Sequence, residues 1–197
     1  ALAKLTHEQG AALLVDNSLA SPAVCRPRDW GADWVMESLT KSMNGHSDVV
    51  LGLLCGPDDR WQRVPGVLST WGLVSAPFAC WLALRGLATL GVRAERACAN
   101  ALAVARHLLA VRQIEAVHYP GLQDHPDHGL AARQFGDRFG SMVAFTLRGG
   151  AKAAGLTERE VAILTELASG KSNDEIAKEL WVTQQTVKFH LTNVYRK

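Results

Sequence analysis

The stretch Glu37-Ser38-Leu39-Thr40-Lys41-Ser42-Met43-Asn44-Gly45-His46-Ser47-Asp48 places a lysine after two hydroxyl residues and ahead of a glycine-containing turn. An apolar-rich stretch over 32–36 precedes Ser38, and an apolar run over 11–15 ends at Asp16. Short apolar runs of this kind predict buried strands. Open α/β sheets bind ligands beyond the carboxyl ends of their parallel strands. We therefore expect Asp16 and Lys41 to face one crevice.

A carboxylate and a lysine at neighbouring strand ends are the pair that a pyridoxal phosphate site needs. The lysine forms a Schiff base with the aldehyde, and a carboxylate beside the ring nitrogen keeps that nitrogen protonated. Ser38 and Thr40 are candidate hydroxyl donors to the phosphate. The residues alone leave another interpretation open, in which Lys41 is a solvated surface lysine and Asp16-Asn17-Ser18 is an ordinary turn.

Several ordered blocks resemble the trans-sulfuration (Cys/Met metabolism) family of pyridoxal phosphate enzymes, the cystathionine synthases and lyases. These blocks are Val15-Asp16-Asn17-Ser18, Ser38-x-Thr40-Lys41, Asn44-Gly45-His46-Ser47-Asp48, Pro77-Phe78, Trp81-Leu82, Leu84-Arg85-Gly86-Leu87, Asn100-Ala101-Leu102, Tyr119-Pro120-Gly121-Leu122 and Gly140-Ser141-Met142. The resemblance implies an α/β fold, with a partial transferase-like large domain of the type I aminotransferase class over residues 1–152. It makes Lys41 the Schiff-base lysine, Asp16 the partner of the pyridinium nitrogen, and Ser38 and Thr40 phosphate ligands.

The same resemblance implies C–S bond chemistry on a sulfur amino acid, and a homo-oligomer if the pyridoxal phosphate half is functional. The unpaired cysteines suit a cytoplasmic location. By this resemblance the chain begins inside the large domain. We then expect the family's phosphate loop, its ring-stacking aromatic and its substrate-binding arginine to lie outside this sequence. A synthase and a β- or γ-lyase are not separated by the segments present.

The C-terminal segment shows a second pattern, made of helix caps. Thr157 and Glu160 form one predicted capping box and Ser172 and Glu175 another. Apolar residues follow each box at helical spacing, and a third helix is predicted from about Gln184 after Thr183. Two short helices joined by a brief turn predict a helix-turn-helix module over residues 153–197.

Charge is segregated within this predicted module. The acids precede the turn, whereas the third helix and its end are basic, with Lys188, His190, Arg196 and Lys197. A basic helix face suits DNA, because phosphate contacts supply affinity while polar side chains read bases. A small helical bundle with ordinary solvated faces is the alternative.

Three blocks of this segment resemble the LuxR-type DNA-binding domain. They are Leu156-Thr157-x-Arg159-Glu160, Gly170-Lys171-Ser172-Asn173-x-Glu175-Ile176-Ala177 and Thr186-Val187-Lys188-x-His190. The resemblance implies binding to double-stranded DNA. It places Lys188, Phe189 and Thr192 in the groove, with Gln185, Thr186 and His190 near the backbone. A fourth, dimerising helix of that family is expected to lie outside this sequence.

Composition limits the remaining possibilities. With 21 basic and 19 acidic residues among 197, the net charge is +2, so any affinity for DNA must be local. Four dispersed cysteines suit reduced thiols, and we expect no metal site, including at His125-Pro126-Asp127-His128. The uncharged stretch 65–84 is interrupted by proline and glycine, which favours a buried helix over a membrane span.

Three accounts of the whole chain stay open. One is a regulator whose pyridoxal-enzyme half senses a ligand or serves as a scaffold while the C-terminal module reads DNA. Another is a catalyst whose site is completed by other subunits. The last is an inactive hybrid of two fragments.

Overall fold

The computed structural model describes residues 1–196, with the side chains of Asp58, Arg60, Lys152 and Ala153 left out; the predicted basic residue Lys197 lies outside the described part. Two compact units make up the chain, one formed by 1–107 with 118–144 and the other by 108–117 with the residues from 145 onward. The elements in chain order are α1 (Leu2–Glu8), β1 (Leu14–Asp16), β2 (Trp34–Ser38), β3 (Gly52–Cys55), α2 (Asp58–Trp61), α3 (Val64–Thr70), α4 (Pro77–Leu87), α5 (Leu90–Leu109), β4 (Ile114–His118), α6 (His128–Phe135), β5 (Ala144–Leu147), α7 (Gly150–Ala153), α8 (Glu158–Ala168), α9 (Asn173–Glu179) and α10 (Gln184–Val194).

A three-stranded sheet of order β1-β2-β3 forms the centre of the first unit. β1 and β2 run parallel, with Asp16 opposite Met36, and β3 pairs antiparallel with β2. The two strands predicted from the apolar runs are therefore present and adjacent. Side chains alternate between the faces of a strand, and in β2 Val35 and Glu37 are the buried ones.

The main apolar cluster of this unit lies beside the turn that follows β2. Its buried members are Leu39, Met43, Ala83 and Leu90. Leu39 and Met43 are the two ends of a π-helical turn, Leu39–Met43, with Lys41 at its centre. Full burial of such a side chain contributes about 1.5 to 3 kcal/mol, so this cluster fixes both ends of the lysine turn.

The predicted buried helix over 65–84 is wrong. This stretch forms α3 and the start of α4, joined by a connection, and much of its apolar surface is exposed. The large apolar residues more than half exposed are Val67, Trp71, Leu73, Val74, Phe78, Trp81 and Leu84. An apolar sequence predicts burial, but burial needs another element to cover it, and these side chains are not covered. Within the described residues, no helix combines the length and the hydropathy that crossing a membrane requires.

The second unit contains the strand pair β4-β5 and a small helical cluster. The segment 143–147 predicts a strand, and β5 forms there. Both predicted capping boxes are formed, and Thr183 caps α10 by accepting from Thr186 N. The core joining α8, α9 and α10 consists of Ile163, Ile176, Ala177, Val187 and Leu191.

Candidate functional site

The candidate site begins where the two parallel strands end. Asp16 is the last residue of β1 and Ser38 the last residue of β2. Lys41 follows three residues later, where its backbone (φ −90°, ψ −135°) departs from helical values. Its side chain is exposed, while Leu39 and Met43 on either side are buried. The buried Leu39 and Met43 thus hold the turn in place, and Lys41 between them faces solvent.

Ser18 links these strand ends through its backbone and its side chain. Its N–H donates to Asp16 Oδ1 at 2.9 Å, and its Oγ accepts from Ser38 N at 2.7 Å. Its carbonyl accepts a longer bond from Ser42 Oγ at 3.4 Å. We did not predict this role, although the Asp-x-Ser spacing indicates a turn in which the carboxylate bonds the backbone two residues on.

The Asp16 carboxyl is held in its charged form. Hydrogen bonds from Ser18, first from its side chain and then from its backbone, lower the pKa of Asp16 below the ordinary value. A carboxyl group that accepts hydrogen bonds when ionised loses its proton more readily. Asp16 therefore carries a negative charge at neutral pH, as a partner for a protonated ring nitrogen must.

Thr40 uses its hydroxyl within the protein. Its Oγ1 accepts from Leu51 N at 3.1 Å and lies 3.5 Å from Leu51 O. These contacts hold the segment leading into β3 against the lysine turn. A phosphate contact by Thr40 would share its hydroxyl with Leu51. The phosphate contact expected of Ser38 stays a prediction.

The turn after Lys41 is closed by its own polar groups. Asn44 Nδ2 donates to Asp48 Oδ1 at 2.6 Å, and His46 Nδ1 lies 2.6 Å from Asn44 O. Gly45 has φ +72°, and a Cβ there would collide with the Arg93 guanidinium. Glycine is needed at this position for its backbone conformation and for the space it leaves.

Arg93, on α5, clamps this turn from a distant part of the chain. Its Nη1 donates to Ser42 O at 2.6 Å, and its Nη2 donates to Met43 O at 2.9 Å and Gly86 O at 2.8 Å. Its Nε donates to Thr89 Oγ1 at 2.9 Å. We did not predict Arg93 as a site residue, because no local pattern joins it to a turn 50 residues earlier.

A concavity opens beside Lys41. It is lined by Thr40, Lys41, Ser42, Gly45, Ser47, Asp48, Val49 and Val50. Asp16 and Ser38 are not part of this lining; the parallel pairing and Ser18 link them to the turn. The structure therefore brings the four predicted residues to one end of the sheet, with only Thr40 and Lys41 on the concavity itself.

The residues predicted to contact DNA lie on or near the outer side of α10. Gln185, Lys188, Phe189 and Thr192 are exposed, and Thr186 and His190 are half-buried. The Thr186 side chain pairs with Thr183 Oγ1 at 2.8 Å, and Thr192 Oγ1 donates to Lys188 O at 2.9 Å. Both threonine hydroxyls are therefore engaged within the helix.

Known proteins match most of the chain. A family profile described as Cys/Met metabolism PLP-dependent enzyme matches residues 1–176. The chain belongs to this family. A probable cystathionine gamma-synthase of Herpetosiphon aurantiacus is 43% identical over 155 residues, which are 78% of this chain and 48% of that protein. A cystathionine gamma-lyase of Dictyostelium discoideum is 44% identical over 150 residues, covering 76% of this chain and 38% of that protein.

The fold agrees with solved structures of the family. The crystal structure of cystathionine gamma synthase from Xanthomonas oryzae pv. oryzae, in complex with aminoacrylate and cysteine, matches with a TM-score of 0.73 at 40% identity. That match covers 81% of this chain and 40% of the other. The chain thus spans less than half the length of these relatives.

The cofactor of the family is pyridoxal 5′-phosphate, and the donor set described above fits it. Asp16 offers an ionised carboxylate, as a protonated ring nitrogen requires. Lys41 offers an exposed amine to an aldehyde. Asp48 also lines the concavity, but its Oδ1 is bound by Asn44.

Proposed function

We propose that this chain supplies the lysine side of a pyridoxal phosphate site for C–S bond chemistry on sulfur amino acids, in the cytoplasm. Residues 1–152 form the transferase-like domain in this proposal. The observation that carries it is the placement of Asp16 and Ser38 at adjacent parallel strand ends, tied to the lysine turn by Ser18. Synthases and lyases both occur among the relatives, so the proposal stays at the level of the bond type.

Each residue has a distinct task in this proposal. When bound, the cofactor supplies an electron-withdrawing ring. Lys41 holds the aldehyde end and moves protons at its Nζ. Asp16 keeps the ring nitrogen charged, and Ser38 and Thr40 hold the phosphate. Arg93 is a positioning residue, because it contacts the backbone of the lysine turn rather than the reacting groups.

A visible absorption titration with pyridoxal phosphate tests the site. The wild-type chain should give a saturable visible band that Lys41→Ala lacks. Exposed lysines also react with aldehydes, so Lys4→Ala on α1 is the matched control and should keep the band. An equal band in the wild type and Lys41→Ala would overturn the proposal.

The reaction is tested separately with cystathionine and added cofactor. Release of 2-oxoacid above the Lys41→Ala background is the expected result. A Lys41-dependent band without turnover would favour the alternative, a non-catalytic sensor or scaffold. Loss of both would favour the inactive hybrid.

A homo-oligomer is part of the proposal, and the exposed apolar surface of α3 and α4 supports it. Phe78 and Trp81 stack with ring centroids 5.7 Å apart, and both are more than half exposed. Contiguous exposed apolar patches mark interaction sites. Sedimentation should show an oligomer that Trp81→Glu dissociates, whereas Arg96→Glu on exposed α5 surface should not.

DNA binding through α10 is a second candidate function, supported by the exposed Lys188 beside Gln185 and Thr192. Retention on duplex DNA should fall with salt, and Lys188→Ala should reduce the slope of log affinity against log salt by about 1. Lys178→Ala, which removes a cation paired with Asp174 on α9, is the control. Salt-independent or absent retention would leave a solvated helical bundle as the better description.

A further inference from the structure

A cavity of about 340 Å³ lies against the buried face of β2. Its walls include Val35, Met43, Leu53 and Pro27, and its polar lining includes Glu37 and Asn17. Neither Asp16 nor Lys41 borders it. Adjacent residues of a strand face opposite sides, so Glu37 belongs to the opposite face of β2 from Ser38, and it does not line the concavity beside Lys41.

Glu37 is a buried acid whose hydrogen bonding is incomplete. It is 3% exposed, and Asn17 beside it is 5% exposed. Asn17 Nδ2 donates to Glu37 Oε1 at 2.7 Å and to Cys25 O at 3.0 Å. An amide nitrogen has two hydrogens, so Asn17 has no donor left for Oε2. Among the described residues Glu37 Oε2 has no hydrogen-bond partner.

An unsatisfied buried carboxylate oxygen is costly, because it has lost water without gaining a donor. Burial raises the pKa of Glu37, the Asn17 hydrogen bond lowers it, and the charge of Asp16 raises it further. A cation beside the carboxylate would supply the missing donor and stabilise the charged form. The arginines of the lining do not supply it, since Oε2 has no hydrogen-bond partner among the described residues. Arg26 instead lies 3.7 Å from Asp29, and Arg28 is exposed.

We propose that this cavity binds a small ligand with a primary ammonium group on a short alkyl body. The ammonium pairs with the carboxylate of Glu37, which lines the cavity, and the alkyl part packs on Val35, Met43 and Leu53. Charge and shape act together here: the apolar walls contact the alkyl chain, and the buried acid selects an amine over a neutral molecule of equal size.

Methyl NMR of the full chain with labelled methionine tests the proposal without cofactor. The probes are n-butylammonium chloride and 1-butanol, which have the same carbon chain. The chain has three methionines, and of these Met43 lines the cavity whereas Met36 and Met142 are exposed elsewhere. Butylammonium should shift the Met43 methyl in a saturable way, leave the other two unchanged, and bind at least tenfold more tightly than 1-butanol.

Glu37→Gln should abolish the preference for the amine, and Glu95→Gln on the exposed side of α5 should leave it unchanged. If Glu37→Gln does not fold, the affinities of the two probes for the wild type still test whether the cavity prefers the amine. No Met43 shift, equal affinity for both probes, or equal shifts at Met36 would overturn the proposal. Because no pyridoxal phosphate is added, this result is independent of the outcome at Lys41.

Discussion

The lysine turn and the C-terminal helices are built by contacts of very different range. Arg93 reaches a carbonyl 51 residues away in the chain, and Ser42 reaches Ser18 across 24 residues. The caps of α8 and α9 instead join residues three positions apart. The turn therefore depends on the surrounding fold for its shape, whereas the helix starts depend mostly on their own sequence.

The two motifs differ in how much of their own geometry they specify. A capping box specifies its own geometry, because donor and acceptor lie within one helical turn. A lysine motif specifies only which groups are available, and distant residues decide where those groups lie. Substitutions in the C-terminal helices should therefore destabilise those helices alone, whereas substitutions far along the chain should affect the lysine turn.

The largest effect is expected in the C-terminal helices from Ile163→Ala. Ile163 is fully buried in a cluster whose members all lie between 163 and 191. Removing a buried isoleucine side chain typically costs 2 to 5 kcal/mol, and we expect about 3 to 4. Hydrogen exchange should accelerate in α8, α9 and α10, while amides of β1 and β2 keep their protection.

Thr165→Ala, at an exposed position of the same helix, should change exchange little. Equal acceleration in β1 and β2 on Ile163→Ala would show that both regions unfold together. In that case the C-terminal helices would be built from local contacts but would not unfold independently of β1 and β2.

Arg93→Ala should have the next largest effect, in the other region. It removes three charge-assisted bonds to carbonyls and one to Thr89. Hydrogen bonds to charged groups contribute about 1.5 to 3 kcal/mol each, but released carbonyls regain water, so we expect a net loss of about 2 to 3. Urea unfolding should measure this loss, and the pyridoxal phosphate titration should weaken with it.

Arg96→Ala removes an exposed arginine from the same helix and should change neither measurement. Arg93→Lys should recover only part of the stability, because a lysine ammonium cannot form all the hydrogen bonds of the planar guanidinium. A stability loss with an unchanged cofactor titration would show that Arg93 supports the fold without positioning Lys41.

The elements that the sequence predicts well are those with local signals. The strands ending at Asp16 and Ser38, the two capping boxes and the start of α10 all follow from short patterns. The buried row of α8 does not follow from helical spacing alone, which leaves it open by one position, and the structure places Ile163 in the core. Arg93, Ser18 and Glu37 were not predicted as a clamp, a link and a cavity wall, because each acts through residues far along the chain.

Gly45→Ala and Gly10→Ala separate backbone strain from crowding. Both glycines have similar positive φ, +72° and +68°. A Cβ at Gly45 would meet Arg93, whereas a Cβ at Gly10 would have no atom of the described residues within 4 Å. Left-handed backbone costs a non-glycine residue about 1 to 2 kcal/mol. We expect about 1 kcal/mol for Gly10→Ala and about 2 for Gly45→Ala by urea unfolding, with only the latter weakening the cofactor titration. Equal losses would mean that Arg93 moves aside freely.

The smallest effect is expected from Ser18→Ala, and it concerns charge rather than stability. Hydrogen bonds from the Ser18 side chain, and then from its backbone, lower the pKa of Asp16. The stability linked to this lowered pKa is present above the unfolded-state pKa and is lost as pH falls through the folded-state pKa. Ser18→Ala removes only the side-chain bond, so carboxyl NMR should show the Asp16 pKa rising part of the way to its ordinary value.

Ser18→Thr keeps a hydroxyl and should keep the lowered pKa, which separates the hydrogen bond from the loss of packing. Ser18 Oγ also accepts from Ser38 N, so the alanine variant loosens the two strand ends from each other as well. If the Asp16 pKa is unchanged in Ser18→Ala, the backbone N–H alone holds the charge. The link between the strand ends would then matter only for their position, and Asp16 would owe its ionised form to the turn itself.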